Sequence, residues 1–297
     1  MTEVALGCGN FGGIGSAPAF FGQGIAHDEA FAIIDRAWGA GITWFDTGDA
    51  YGGGTSERWI GEWIRARGVR PKLTTKVFHS TTGTPGDEGL APDRIQRQIR
   101  ASLERLGVDS VDFYLAHAQD PDVPLGETVA CFESLRDEGL IGAWGLSNHD
   151  LAEIRDTGPA LVQNSFSLLD RADEEDVLPH CRAHGIPYVP FGPLAGGWLT
   201  GKYRRGEAYP EGSRMTQRPG AYESYVDDRV FDALDGLADE AASRGVSMAA
   251  LAFAWVLRRC DGAVCGPNRA EHLDPVLEAM QIELSAEDVI RIGGFFS

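Results

Sequence analysis

Along this 297-residue chain, short runs of nearly continuous apolar residues alternate with longer runs whose apolar positions recur every three or four residues. The short runs are V-A-L-G, I-T-W-F-D, L-T-T-K-V, V-D-F-Y-L-A-H, A-W-G-L-S-N, L-V-Q-N-S-F, Y-V-P-F and A-V-C-G. They start near Val4, Ile42, Leu73, Val111, Ala143, Leu161, Tyr188 and Ala263, and they predict eight strands. Strands that are apolar almost throughout are buried on both faces, as in a parallel sheet covered by helices.

The longer runs carry helical periodicity. Asp28–Ala40 places Phe31, Ile34, Ala37 and Trp38 on one stripe. Pro92–Leu106 places Ile95, Ile99, Leu103 and Leu106 on one face, with Gly107 as a stop signal. Similar patterns cover Glu57–Arg67, Glu127–Glu138, Leu151–Asp156, Glu174–His184, Asp228–Arg244, Met248–Arg258 and Glu271–Met280. Strands alternating with helices predict a (β/α)8 TIM barrel forming a single domain over residues 1–297. A doubly wound open sheet is the alternative. From Gly192 to Val226, after strand 7, no helix or strand pattern is evident, and Gly, Pro, Arg and Tyr are abundant. A connection of this length is a candidate binding loop. Ser80–Gly89 reads as an ordinary surface loop.

Charge narrows the partners. Asp and Glu number 44 against 26 Lys and Arg, a formal net charge of -18. A nucleic-acid backbone needs a basic face, so nucleic acid is excluded as a partner, and an anionic membrane surface is disfavoured for the same reason. No apolar stretch is long enough to span a bilayer, and the first ten residues lack the pattern of a secretion signal. Five cysteines, Cys8, Cys131, Cys181, Cys260 and Cys265, form no C-x-x-C pair and suggest reduced thiols in the cytoplasm. No metal site is expected. His180 and His184 have helical spacing without the Glu of H-E-x-x-H, and read as a surface helix.

The motif G-C-G-N-F-G (7–12) matches G-x-G-x-x-G, but a dinucleotide fingerprint needs a helix opening on its third glycine. Here Gly12 leads into G-I-G-S-A-P-A-F-F-G, so a glycine-rich rim is expected, with no pyrophosphate at Gly12. More specific is W-F-D-T-G-D-A-Y-G (44–52), where a strand ends on Asp46 and Tyr51 follows. Lys76 ends the third strand and His117 the fourth. Three ionisable groups at corresponding ends of successive strands lie where barrels carry chemistry. A Lys ammonium beside a Tyr phenol favours the phenolate, and Asp46 would hold Lys76 charged. With His117 on the reacting oxygen, the set could protonate a carbonyl.

The stretches F-D-T-G-D-A-Y-G-G-G-T-S-E (45–57), T-K-V (75–77), Y-L-A-H-A-Q-D-P-D-V-P (114–124), G-L-S-N (145–148), V-Q-N-S-F-S-L-L-D-R (162–171) and G-P-L-A-G-G-W-L-T-G-K-Y (192–203) occur in the order found in aldo-keto reductases. The chain resembles that family over nearly its whole length. The resemblance implies a barrel that binds a nicotinamide dinucleotide without a Rossmann domain and reduces an aldehyde or ketone to an alcohol, reversibly. It implies a catalytic tetrad of Asp46, Tyr51, Lys76 and His117. It places Ser147, Asn148 and Gln163 on the carboxamide, Phe191 on the nicotinamide ring, and Gly192–Lys202, including Leu194 and Gly196, over the pyrophosphate. By position, Phe11, Phe78 and Trp198 read as rim aromatics that either line the substrate pocket or pack in the core.

The adenosine end departs from the family pattern. In C-G-P-N-R-A-E-H-L-D-P-V-L (265–277), His272 stands where Arg or Gln is common, and Pro275 and Val276 replace an acid and Asn. Gly266, Asn268, Arg269 and His272 are the residues expected at the cofactor here. With Arg269 as the one strong cation, NADP(H) is expected in preference to NAD(H), by a small margin. The partner is a small carbonyl or alcohol; oligomeric state is open. Two alternatives stand beside the enzyme: a non-catalytic nicotinamide-binding regulatory subunit of the same fold, and a metal- or phosphate-dependent barrel lyase, which would want more carboxylates at the strand ends than Asp46.

Overall fold

The computed structural model describes residues 3–297. Among the described residues there are seven regular strands: β1 Glu3–Gly7, β2 Trp44–Asp46, β3 Lys72–Val77, β4 Val111–Ala116, β5 Ile141–Ser147, β6 Val162–Gln163 and β7 Gly262–Cys265. All neighbours are parallel, in the order β6-β5-β4-β3-β2-β1-β7. The helices are α1 His27–Gly39, α2 Thr55–Arg67, α3 Pro92–Leu106, α4 Leu125–Asp137, α5 Leu151–Thr157, α6 Val177–His184, α7 Arg214–Gln217, α8 Asp228–Arg244, α9 Met248–Arg259, α10 Asp274–Ala279 and α11 Ala286–Gly294.

The strand expected near Tyr188 is not a regular one. Residues 187–191 nevertheless close the ring between β6 and β7. On one side Val189 N–H donates to Val162 (2.9 Å) and Phe191 N–H to Asn164 (3.0 Å); on the other, Pro190 accepts from Val264 N–H (2.8 Å). Pro187 and Pro190 carry no N–H, so a continuous ladder cannot form there and only isolated parallel bridges remain. The fold is a (β/α)8 barrel with an irregular seventh position.

Period-2 alternation then decides what faces the barrel interior. In β2, Trp44 points inward with Ala5, Leu115, Leu161, Val189 and Val264 as the apolar floor. Phe45 points outward, its ring 5.5 Å from Trp63 of α2 and 6.2 Å from Trp38 of α1. Asp46 therefore points inward again, above the floor. In β3, Thr74 accepts from the Trp44 indole (2.8 Å), Thr75 turns outward to donate to Glu57 of α2 (2.5 Å), and Lys76 returns to the interior.

The connection Gly192–Val226, read as lacking elements, contains short helical turns: Ala195–Thr200, α7, Pro219–Ala221 and Glu223–Tyr225. None is long enough to show helical periodicity. The last helix, α11, was not among the sequence patterns. Its signature was present as Ser285-Ala-Glu-Asp288, which forms a reciprocal capping box: Ser285 Oγ accepts from Asp288 N–H (3.1 Å) while Asp288 accepts from Ser285 N–H (3.0 Å). Among the described residues, no helix is long and apolar enough to cross a membrane. The His180 and His184 rings lie tilted against each other on α6, centroids 4.1 Å apart, and His184 Nδ1 bonds back to the His180 carbonyl.

Helix α2 approaches α3 so closely that a Cβ on Gly61 would press into the Arg105 and Leu106 carbonyls, the latter at 2.7 Å. Backbone cannot swing aside as a side chain can, so Gly61→Ala is expected to lower stability by about 1–3 kcal/mol. Urea unfolding checks this; an unchanged midpoint would mean the helices part at no cost.

Candidate active site

Asp46 and Lys76 meet at the barrel mouth with 3% and 1% of their surface exposed. Lys76 Nζ donates to Asp46 Oδ1 (2.5 Å) and to the Thr47 carbonyl (2.8 Å). The other Asp46 oxygen accepts from Gln163 Nε2 at 2.9 Å. Burial alone disfavours an ammonium, but Asp46 and then Tyr51 outweigh it, so the Lys76 amine is held above its ordinary range and stays charged.

Tyr51 leaves the strand on the loop after β2, on a glycine run whose backbone is left-handed (Gly52 φ +58°, Gly53 φ +63°). A Cβ at Gly52 would meet the Phe11 and Gly12 carbonyl oxygens at 2.8 Å, so only glycine lets this loop lie against the β1 loop. The Tyr51 phenol oxygen is 3.4 Å from His117 Nε2, and its ring centroid is 5.2 Å from Lys76 Nζ. The expected downward pull of Lys76 on the phenol is present, but burial is the larger effect. Tyr51 is pushed up from its ordinary value and holds its proton at neutral pH. Burial, then Lys76 and His79, hold His117 well below its ordinary value, so its imidazole is neutral. His117 Nδ1 is buried without a partner, and the His79 ring stands edge-on at 4.7 Å.

A cavity of about 900 Å³ opens above this set. Asp46, Tyr51, Gln163 and Phe191 line one end. Gly192, Leu194, Gly196 and Lys202 of the long connection, and Gly266, Asn268 and His272 after β7, line it too. Gly9 also lines it, 3.6 Å from the Tyr51 ring when given a Cβ, whereas Gly12 does not and opens no helix. The G-C-G-N-F-G segment is thus a close-packed rim beside Tyr51.

Other expected residues lie elsewhere. Phe11 and Trp198 are fully buried, Trp198 among Tyr203, Tyr225 and Phe231, because the loop after 191 needs a core of its own. Phe78 is half-buried and outside the cavity lining. None of the three is among the residues that line the cavity. Arg269 is exposed and also outside the lining. Burial, then Lys202 and Arg269, lower the His272 pKa, so His272 adds no cation at neutral pH. Ser147 is buried, and Asn148 adopts φ +60° to donate from Nδ2 to the His117 carbonyl (2.8 Å) and Ser147 Oγ (3.2 Å); neither is among the lining residues.

Two lining cations were not foreseen: Arg214 and Arg218. Arg214 reaches across the mouth to Asn10 Oδ1 (2.5 Å), and Asn10 in turn donates to Asn268 Oδ1 (2.6 Å). Their only sequence signal was the abundance of Arg in the long connection. Which side chains fold back over the barrel depends on turns that carry no period.

The family model described as "Aldo/keto reductase family" matches residues 3–295. The chain belongs to the aldo/keto reductase family. This aldo/keto reductase is 31% identical over 281 residues to a probable voltage-gated potassium channel subunit beta of Arabidopsis thaliana, covering 88% of this chain and 85% of the other. It is 30% identical over 308 residues to an NADH-specific methylglyoxal reductase of Escherichia coli strain K12, covering 97% and 93%. Among solved structures, a glycerol dehydrogenase from Gluconobacter oxydans superposes with a TM-score of 0.84 at 26% identity, covering 98% of this chain and 90% of that one.

The burial of neutral His117 has a consequence for stability. The unfolded imidazole protonates near pH 6.5, while the folded one resists protonation well below that value. Its contribution is complete above pH 6.5 and is lost as pH falls, by about 1.4 kcal/mol per pH unit. His117→Gln should therefore show a flatter loss of stability between pH 6.5 and 5 in urea titrations. Parallel slopes for variant and wild type would refute this.

Proposed function

We propose that this chain catalyses the reversible nicotinamide-dependent reduction of an aldehyde or ketone, with Tyr51 giving the proton to the carbonyl oxygen. The observation that carries the reading is the buried set at the barrel mouth: a charged Lys76 paired with Asp46, a protonated Tyr51, and a neutral His117 whose Nε2 lies 3.4 Å from the Tyr51 oxygen.

The cavity suits a dinucleotide in size and lining. Its volume of about 900 Å³ lies at the upper end for ligand sites. An aromatic, Phe191, lies at the reacting end, and Lys202, Arg214 and Arg218 supply cations for phosphate oxygens. Gly192 (φ +69°), Gly196 (φ +64°) and Gly197 (φ +94°) allow the backbone between them to approach closely. Gln163, Ser147 and Asn148 would orient the carboxamide. The bound nicotinamide would supply the hydride to the carbonyl carbon.

The rest falls to the chain's own groups. Tyr51 donates its proton as charge develops on the substrate oxygen. Lys76 steadies the phenolate that remains, and Asp46 keeps Lys76 charged and oriented. His117, whose Nε2 lies 3.4 Å from the Tyr51 oxygen, fixes the carbonyl. Phe191 and Leu194 exclude water, which strengthens these electrostatic contacts. The reducing interior of a cell, the cytoplasm, suits five cysteines that are all unpaired and buried.

Tyr51→Phe should lower kcat for a generic aldehyde by roughly 10²–10⁴-fold while dinucleotide affinity changes little, because only the proton donor is removed. Steady-state kinetics and fluorescence titration check the two halves. Wild-type kcat in the variant would refute the role of Tyr51. The complete absence of turnover in the wild type, with dinucleotide bound, would favour the regulatory-subunit alternative.

A further inference from the structure

Ser247 before α9, and His272, Asp274 and Glu278 after β7, form one wall of the cavity. Ser247 is the N-cap of α9, a helix of 12 residues whose positive end faces this wall. Such an end, with its free N–H groups and dipole, is a natural seat for a phosphate. Here a carboxylate stands at the cap. Glu278, from α10, accepts from Ser247 Oγ at 2.6 Å and from Ser247 N–H at 3.3 Å. Among the described residues, Ser247 is the only polar partner of that carboxylate, so its charge is not neutralised by a cation.

The neighbouring groups carry mixed charge, with Lys202 a lining cation whose charge is felt at His272. Asp274 is a second carboxylate and takes Arg36 of α1 as its ion-pair partner. His272 is neutral at pH 7, and Arg269 is exposed outside the lining. Lys202 lies against Gly197 of the covering loop.

We infer that Glu278 makes this aldo/keto reductase selective for NAD(H), its carboxylate accepting from the adenosine ribose hydroxyls and repelling the phosphate that NADP(H) carries there. A carboxylate reading the ribose hydroxyls is the device by which other dinucleotide sites select NAD. This reverses the preference expected from Arg269, and it rests on the nicotinamide-dependent function proposed above.

The test reads binding rather than turnover. Fluorescence titration of the wild-type chain with NADH and NADPH should show NADH the tighter by about tenfold or more, since like charges brought together are strongly disfavoured. Glu278→Gln should tighten NADPH by about tenfold and leave NADH within about threefold, because the amide oxygen still accepts from a hydroxyl. Calorimetry with 5′-ADP and 2′,5′-ADP probes the adenosine end without reaching Tyr51 and needs no variant. The wild type should favour 5′-ADP. Tighter binding of NADPH or of 2′,5′-ADP to the wild type would overturn the role of Glu278 while leaving the proposed reaction standing. So would an unchanged NADH/NADPH ratio in a Glu278→Gln protein with wild-type circular dichroism. Failure of both dinucleotides to bind would overturn the proposed reaction, and this inference with it.

Discussion

The barrel mouth is organised by one interaction, the ion pair between Lys76 and Asp46. Both side chains are almost wholly removed from water, and neither would be tolerated there alone. Losing one partner of a buried pair costs about 3–5 kcal/mol, because a charge is left without compensation. The Thr47 carbonyl and the Gln163 amide take up the remaining donor and acceptor positions. Gln163 lies 117 residues from Asp46 in sequence. The pair thereby ties β2, β3 and β6 together across the interior, and its geometry depends on ring closure.

Burial sets the protonation states of the neighbours, and the charge on Lys76 reinforces it at one and opposes it at the other. A charged Lys76 makes a second cation at His117 unfavourable, and burial acts in the same direction. The same charge opposes the burial of Tyr51, whose proton is retained because burial is the stronger effect. Tyr51 and His117 thus present a held proton and a neutral imidazole to one point in space. The fixed charge that both respond to lies beneath them, out of reach of solvent.

The remainder of the cavity obeys a different logic. Its walls come from the loops above the strands, and its charges change along its length. Lys202, Arg214 and Arg218 are cationic, whereas Asp274 and Glu278 are acidic. In a chain with a formal net charge of -18, these cations are local features rather than samples of a basic surface. Arg214 joins the long connection to the β1 loop through Asn10 and on to Asn268. That connection is built on its own aromatic core around Trp198, so its position is set by packing within itself as well as against the barrel.

The barrel and the buried polar set could be read from the sequence because both follow local periods. Alternation by two places Asp46, Lys76 and His117 on the inward side of their strands. Period 3.6, with stop signals such as Gly107, marks the helices; α3 runs over Pro92–Leu106 as expected. Residues 187–191 carry strand-like apolar character, but their prolines remove ladder donors, and only the neighbouring strands show that the segment still closes the ring. Arg214, Glu278 and the true surroundings of Phe11, Phe78 and Trp198 have no such period behind them. Each depends on where a non-repetitive loop or a short helix comes to rest against a distant part of the chain. Glu278 looks like an ordinary surface acid until α10 brings it to Ser247 at the N-cap of α9. The local code determines which faces are buried, and only long-range packing decides which charges meet.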